Sequence, residues 1–223
     1  MPKLEKPIVV EKIKASGMVP VYNHPDFDVC KAVLKACYEG GLQVFEFTNR
    51  SESAFEVFAE LKQFTSESVP DMLIGVGSII GVETTRKFID AGADFIVSPA
   101  LVEEMATVCQ QHQLPWLPGC GTVTEVVRAH KLGADIIKLF PAAEIGGPGF
   151  VKAVLAPMPF LNLMPTGGVS PDKENLQAWF DAGAACVGMG SKLFSKDWIK
   201  MGEFEKLARF VRDTMEVIKE VRN

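Results

Sequence analysis

One unit recurs along this chain: a helical stretch ends in glycine, and a short, β-rich, nearly continuous apolar run follows at once. It stands at EGGLQVFEFT (39–48), DAGADFIVSP (90–99), HKLGADIIKLFP (130–141) and DAGAACVGMG (181–190). Glycine suits the position because helices often end on a left-handed residue, which glycine adopts without steric cost. Runs that are apolar at successive positions suit parallel strands covered on both faces. A chain made of this unit is therefore confined to α/β architectures in which helices return the chain to the start of each new strand.

Filling the intervals gives strands near 18–22 (MVPVY), 42–47, 72–76, 94–98, 115–118, 135–140, 162–165 and 185–188. Helical patterns fall near 26–39, 52–66, 82–91, 100–112, 123–132, 148–156, 172–182 and 202–220, with an extra N-terminal helix over 7–16. Asp26, Ser51, Thr122 and the Ser170–Pro171 pair read as helix starts. Eight alternating strands and helices predict a closed (β/α)8 TIM barrel. An open doubly wound sheet would need a phosphate loop after its first strand, and YNHPDFD supplies none. No linker, low-complexity tract or composition shift interrupts the 223 residues, so 1–223 is read as a single catalytic barrel domain.

The net charge is −5 and no basic run occurs, which gives no support for nucleic-acid binding or for an anionic membrane surface. A small acidic substrate would need a local cationic pocket. The opening MPKLEKPIVVEKIK lacks the apolar core and cleavage site of a signal peptide. No apolar run reaches the ~18 residues of a membrane span. The expectation is a soluble, cytoplasmic protein. The five cysteines, Cys30, Cys37, Cys109, Cys120 and Cys186, form no CxxC and mostly sit in apolar segments, so they read as reduced core residues, with Cys120 in a loop as the possible exception. His24, His112 and His130 form no HxH or HExxH pair, which argues against a histidine-rich metal site.

In a barrel of this kind the site lies at the C-terminal ends of the strands. The second strand runs VFEFTNR, so Glu46, Thr48 and Arg50 share a face if the strand extends that far. A carboxylate among apolar residues needs a partner. The pair reads either as a structural ion pair or as a general base with a carboxylate clamp, for which the planar fork of arginine is suited. The sixth strand places Lys138 among Ile136, Ile137, Leu139 and Phe140. A lysine within a buried strand must be desolvated, which favours the neutral, nucleophilic amine; the plainer reading is a lysine whose head snorkels to water. The last two strands end in MPTGGVSP (164–171) and VGMGSKLF (187–194). Glycines there serve either tight turns or a phosphate cradled by free N–H groups. Hydroxyls at Ser78, Ser98 and Thr122 are candidate pocket walls.

Together, EFTNR (46–50), KLFPA (138–142), PTGGV (165–169) and GMGS (188–191) resemble, in order and over nearly the whole chain, the class I aldolases that cleave 2-keto-3-deoxy-6-phosphogluconate and 4-hydroxy-2-oxoglutarate. The resemblance implies Lys138 as the Schiff-base lysine, Glu46 as the acid/base and Arg50 as the clamp on the pyruvate carboxylate. Ser78 stands where the family commonly has threonine, and Thr166 falls at the position associated with substrate preference. Pro99 and Phe140 resemble pocket walls, and Gly167, Gly168, Gly190 and Ser191 resemble the phosphate site. Asn49 departs from the apolar residue usual in the family's motif. The resemblance further implies a homotrimer that needs no metal or organic cofactor. It implies cleavage of the phosphorylated substrate to pyruvate and glyceraldehyde 3-phosphate, and of the shorter one to pyruvate and glyoxylate. Three alternatives stay open from the residues: a phosphate-binding barrel isomerase or epimerase without an imine, a non-catalytic sugar-acid sensor, and a related 2-keto-3-deoxy-6-phosphogalactonate aldolase.

Overall fold

A computed structural model describes residues 4–222; residues 1–3 and 223 of the single-domain reading lie outside them. Helix α1 (Lys6–Ser16) precedes β1 (Met18–Tyr22), and the chain then alternates: α2 (Phe27–Glu39), β2 (Val44–Thr48), α3 (Ala54–Ser68), β3 (Leu73–Gly77), α4 (Val82–Asp90), β4 (Ile96–Val97), α5 (Glu103–Gln111). Two short strands follow, β5 (Trp116–Leu117) and β6 (Gly119–Cys120), then α6 (Val123–Lys131), β7 (Ile137–Leu139), α7 (Gly147–Leu155), β8 (Leu163–Pro165), α8 (Lys173–Asp181), β9 (Val187–Met189), α9 (Lys196–Lys200) and α10 (Phe204–Arg222).

All strand pairs are parallel, in two sheets ordered β5-β4-β3-β2-β1-β9 and β6-β7-β8. The sheets meet at both ends. Pro118 separates β5 from β6, because proline has no N–H for a ladder. At the other junction a parallel bridge joins Thr166 to Gly188, and Ala185 N donates to Leu163 O at 2.9 Å.

Strand pleating sorts the side chains into two cores. One holds Val19, Val44, Leu73, Phe95, Val97, Leu117, Ile136, Met164 and Cys186, with Val9, Val10 and Ile13 of α1 packed against them. Every strand but β6 contributes a residue or a directly adjoining one to that cluster, and α1 packs against it. Strand neighbours of the opposite parity, such as Phe45, Phe47, Ile74, Val76, Ile137 and Leu139, pack instead against the helices. Glu46 and Lys138 therefore lie on the inner face, one pleat above Val44 and Ile136.

Two helix starts differ from expectation. Helix α3 begins at Ala54 after Ser53, not at Ser51; Ser51 O accepts from Ala54 N at 3.1 Å, and Ser53 Oγ donates to Pro25 O at 3.1 Å instead of capping. Helix α8 begins after Asp172, and Ser170 Oγ donates to the Asp172 carboxylate at 2.6 Å, so the Ser170–Pro171 pair lies in the approach rather than at the cap. Asp26 and Thr122 do cap α2 and α6: Asp26 Oδ1 accepts from Asp28 N and Val29 N, and Thr122 Oγ1 from Glu125 N. Each cap of this kind stabilises a helix by about 1 kcal/mol. Helix α9 has no counterpart among the expected elements. Among the described residues no helix is long and apolar enough to cross a membrane.

Candidate active site

Lys138 occupies the middle of β7, where its N–H donates to Pro118 O at 2.9 Å. Its side chain does not snorkel: the residue is 5% exposed, and Nζ lies 3.4 Å from Oε1 of Glu46, itself 0% exposed on β2. The contact is at the long end of hydrogen bonding, as is common before a substrate tightens a site. Glu46 Oε2 is buried without any partner. Strand parity brings these two charges together from positions 92 residues apart. A buried ion pair of this kind gives weak support to stability, because desolvation offsets much of the attraction. Its placement is better explained by chemistry than by folding.

Arg50 is not the partner of Glu46. Strand β2 ends at Thr48, and Arg50 N turns back to Thr48 O at 3.0 Å. The exposed Arg50 side chain then crosses to the end of β3, where Nε donates to Ser78 Oγ at 2.9 Å. Ser78 holds φ 61°, a left-handed conformation unusual for a residue with a Cβ. Strain of that type collects at functional sites, where the surroundings impose it. Among the described residues, the Arg50 side chain bonds to Ser78, which leaves its other N–H groups open to a ligand.

Phe140 follows β7 with its ring centre 5.6 Å from Lys138 Nζ, and its peptide bond to Pro141 is cis. Pro99 follows β4, and its carbonyl packs over Gly119, the residue paired with Lys138 across the sheet. Phe140 thus lies beside the lysine head, and Pro99 beside the residue paired with it. Thr166 continues β8 beside it: its N–H donates to Leu139 O at 2.9 Å, and its buried Oγ1 has no partner.

The glycines of the last two loops stand next to one another through the Thr166–Gly188 bridge. Gly167 and Gly168 have φ of 94° and 79°, conformations that disfavour any residue with a Cβ. Their loop is pinned by Ala142 N to Thr166 O at 2.9 Å and Ala143 N to Gly167 O at 3.2 Å. Gly190 and Ser191 follow β9, with Leu193 N donating to Gly190 O at 2.9 Å. Among the described residues, the N–H groups of Gly167, Gly168, Gly190 and Ser191 donate to no backbone or side-chain acceptor. Four such donors on adjacent loops are the kind of group that binds anions.

Two of the expected hydroxyl walls are elsewhere. Ser98 has the opposite parity to Val97, is 0% exposed, and accepts from Trp116 Nε1 at 3.2 Å in the outer layer. Thr122 is occupied as the α6 cap and donates to Glu125 Oε2 at 2.9 Å. The possible exception among the thiols, Cys120, is buried, and burial followed by the nearby Glu125 charge pushes its thiol up to about 12. One polar neighbour escaped the sequence reading. Asn23, just past β1, accepts from Thr48 Oγ1 at 3.1 Å and ties the end of β1 to that of β2. The only sequence signal for it was a polar residue at a strand end.

Comparison with known proteins agrees with this geometry. The family model for KDPG and KHG aldolase matches residues 9–210. A 2-dehydro-3-deoxy-phosphogluconate aldolase of Haemophilus influenzae is 29% identical, covering 95% of this chain and 97% of its own. A KHG/KDPG aldolase of Escherichia coli is 28% identical over 92% of this chain and 94% of its own. Among solved structures, a KDPG aldolase from Legionella pneumophila, with pyruvate captured at low pH as a covalent carbinolamine intermediate, superposes with a TM-score of 0.83 at 28% identity, covering 92% and 96% of the two chains. The chain belongs to the KDPG and KHG aldolase family.

Proposed function

We propose that this protein is a class I aldolase that cleaves 2-keto-3-deoxy-6-phosphogluconate to pyruvate and glyceraldehyde 3-phosphate, and 4-hydroxy-2-oxoglutarate to pyruvate and glyoxylate. The observation that carries the reading is the buried Lys138–Glu46 contact of 3.4 Å, from which Arg50 stands four residues along the same strand end. A buried lysine also serves proton transfer in isomerases, so the reading rests on the amine together with membership of the KDPG and KHG aldolase family, and borohydride trapping of an imine separates the two.

Lys138 passes a proton to Glu46 and its neutral amine attacks the C2 carbonyl; Glu46 returns that proton to the carbinolamine oxygen, which leaves as water to give a protonated imine. The imine takes up the electron pair when C3–C4 breaks, while the C4 hydroxyl proton passes to Glu46 and the aldehyde departs. The resulting enamine takes a proton from Glu46 at C3. Water, its proton taken up by Glu46, then hydrolyses the imine, releasing pyruvate and the free amine. Arg50, steadied by Ser78, holds the substrate carboxylate through charge-assisted hydrogen bonds. Pro99 and Phe140 wall the imine, and Thr166 offers its free hydroxyl to the substrate chain. The N–H groups of Gly167, Gly168, Gly190 and Ser191 receive the phosphate. The scheme is complete without a metal or organic cofactor.

The sheet arrangement supports one closed eight-stranded barrel in which β5 and β6 are a single strand interrupted at Pro118, and one domain that includes the whole chain. Apolar Ile80 and Val123, 69% and 47% exposed, support association of copies of the chain, which we propose to be a trimer acting in the cytoplasm. The test of function is an aldol-cleavage assay on both substrates, with pyruvate release coupled to lactate dehydrogenase and Lys138→Ala as control. Release from either substrate that disappears in the variant supports the reading; release that persists in the variant, or none from the wild type, overturns it.

A further inference from the structure

The scheme above leaves one residue beside the reacting groups unexplained. Gly77 ends β3, paired across the sheet with Thr48. A Cβ built on it would overlap Glu46 Oε1 and come within 2.7 Å of Cδ and 3.0 Å of Cγ. One pleat lower, a Cβ on Gly75 would meet the Phe95 ring and no polar group. Gly77 is not among the residues with positive φ, so its backbone does not require glycine. What the residue supplies is room, and the atom that fills the room is the carboxylate oxygen in contact with Lys138. Asn49 N donates to Gly77 O at 2.9 Å, so the end of β3 cannot drift from β2 to relieve crowding.

We infer that Gly77 is a positioning residue: its missing side chain is the seat of the Glu46 carboxylate, holding Oε1 against Lys138 and leaving Oε2 unpartnered for proton transfer. The inference rests on the proposed acid/base role of Glu46. A methyl group at 77 would turn Glu46 to another rotamer, and a displacement of about 1 Å at a reacting group can cost ~100-fold in rate.

The test compares wild type, Gly77→Ala, Glu46→Ala and the double variant by three readouts. These are borohydride trapping of the pyruvate imine, deuterium exchange into the pyruvate methyl group by NMR, and the thermal midpoint. In Gly77→Ala the exchange rate per trapped imine is expected to fall by ~100-fold, together with a lower midpoint. In the Glu46→Ala background, where the carboxylate is gone, adding Gly77→Ala is expected to change neither. Should Gly77→Ala not fold while the double variant folds, the collision with Glu46 is also established. Exchange per imine at the wild-type rate in Gly77→Ala, an equal loss of midpoint in both backgrounds, or failure of both variants to fold would each overturn the inference. If the wild type neither traps pyruvate nor exchanges its protons, the aldolase reading fails instead, and the two midpoints still report whether Gly77 seats Glu46.

Discussion

Replacing Lys138 by methionine is the perturbation whose cost follows most directly from the geometry. The substitution preserves length and apolar packing but removes the cation that pairs with Glu46 among the described residues. Glu46 is 0% exposed and Oε2 already lacks a partner, so the carboxylate would be left buried with both oxygens unbonded. Breaking a buried pair from one side costs about 3–5 kcal/mol. For a chain of this size, each kcal/mol lowers the thermal midpoint by roughly 2–4 °C, which gives a fall of about 6–20 °C. Replacing both partners, as Lys138→Met with Glu46→Leu, removes the uncompensated charge and should recover most of the loss, since apolar substitutes for buried pairs are often neutral or stabilising. Urea and thermal unfolding would measure both, with Lys206→Met as the reference: its pair with Glu203 is 49% and 38% exposed. Exposed pairs of that kind are worth under ~1 kcal/mol. The reasoning is refuted if Lys138→Met costs no more than Lys206→Met, or if the double variant loses as much as the two single variants added together.

Further outcomes follow from the same geometry. Arg50→Lys keeps the charge but loses the fork and the Nε bond to Ser78, so KM for the 2-keto acid should rise by roughly 10–100-fold with a smaller change in kcat, measured by steady-state kinetics. Gly168→Ala puts a methyl into the Ala143 side chain at a φ of 79°, so it should raise KM for the phosphorylated substrate while sparing 4-hydroxy-2-oxoglutarate; an equal effect on both substrates would detach that loop from phosphate. Burial pushes the thiols of Cys30, Cys120 and Cys186 from an ordinary 9.0 up to about 12. Between those values the folded chain holds more protons than the unfolded one, so this contribution is intact below pH 9 and stability falls as pH rises towards 12. Urea midpoints across that range would show the decline, and the native thiols should resist alkylation at neutral pH.

The strand order and the inner lysine were legible because both rest on pattern. Glycine after a helix, followed by an apolar run, marks each strand, and a lysine inside such a run is anomalous enough to attract notice. The nearness of Lys138 to Glu46 was expected from their roles in the resembled family, not from spacing, since it depends on two strands of matching parity facing each other across the interior. Spacing along one strand left a Glu46–Arg50 ion pair open beside the carboxylate clamp; the bend after Thr48 sends Arg50 to Ser78, which removes the ion pair. Parity also explains Ser98, which looked like a wall residue but points outwards to Trp116. Helix starts at Ser51 and Ser170 were misread because a serine near a helix has other acceptors to choose from: Pro25 O takes the neighbouring Ser53, and the Asp172 carboxylate takes Ser170. Pro118 splits what reads as one apolar strand, a local break that the lack of an N–H explains once the neighbours are known.

The account stands on a covalent bond between one side chain and pyruvate. Incubating the protein with pyruvate and sodium borohydride, digesting it and sequencing the peptides by mass spectrometry tests this directly. A reduced carboxyethyl adduct confined to Lys138, and absent from Lys138→Ala, is the predicted result. A labelled lysine on the outer helices, such as Lys131 or Lys152, or no label under conditions that mark a known imine-forming aldolase, would contradict it.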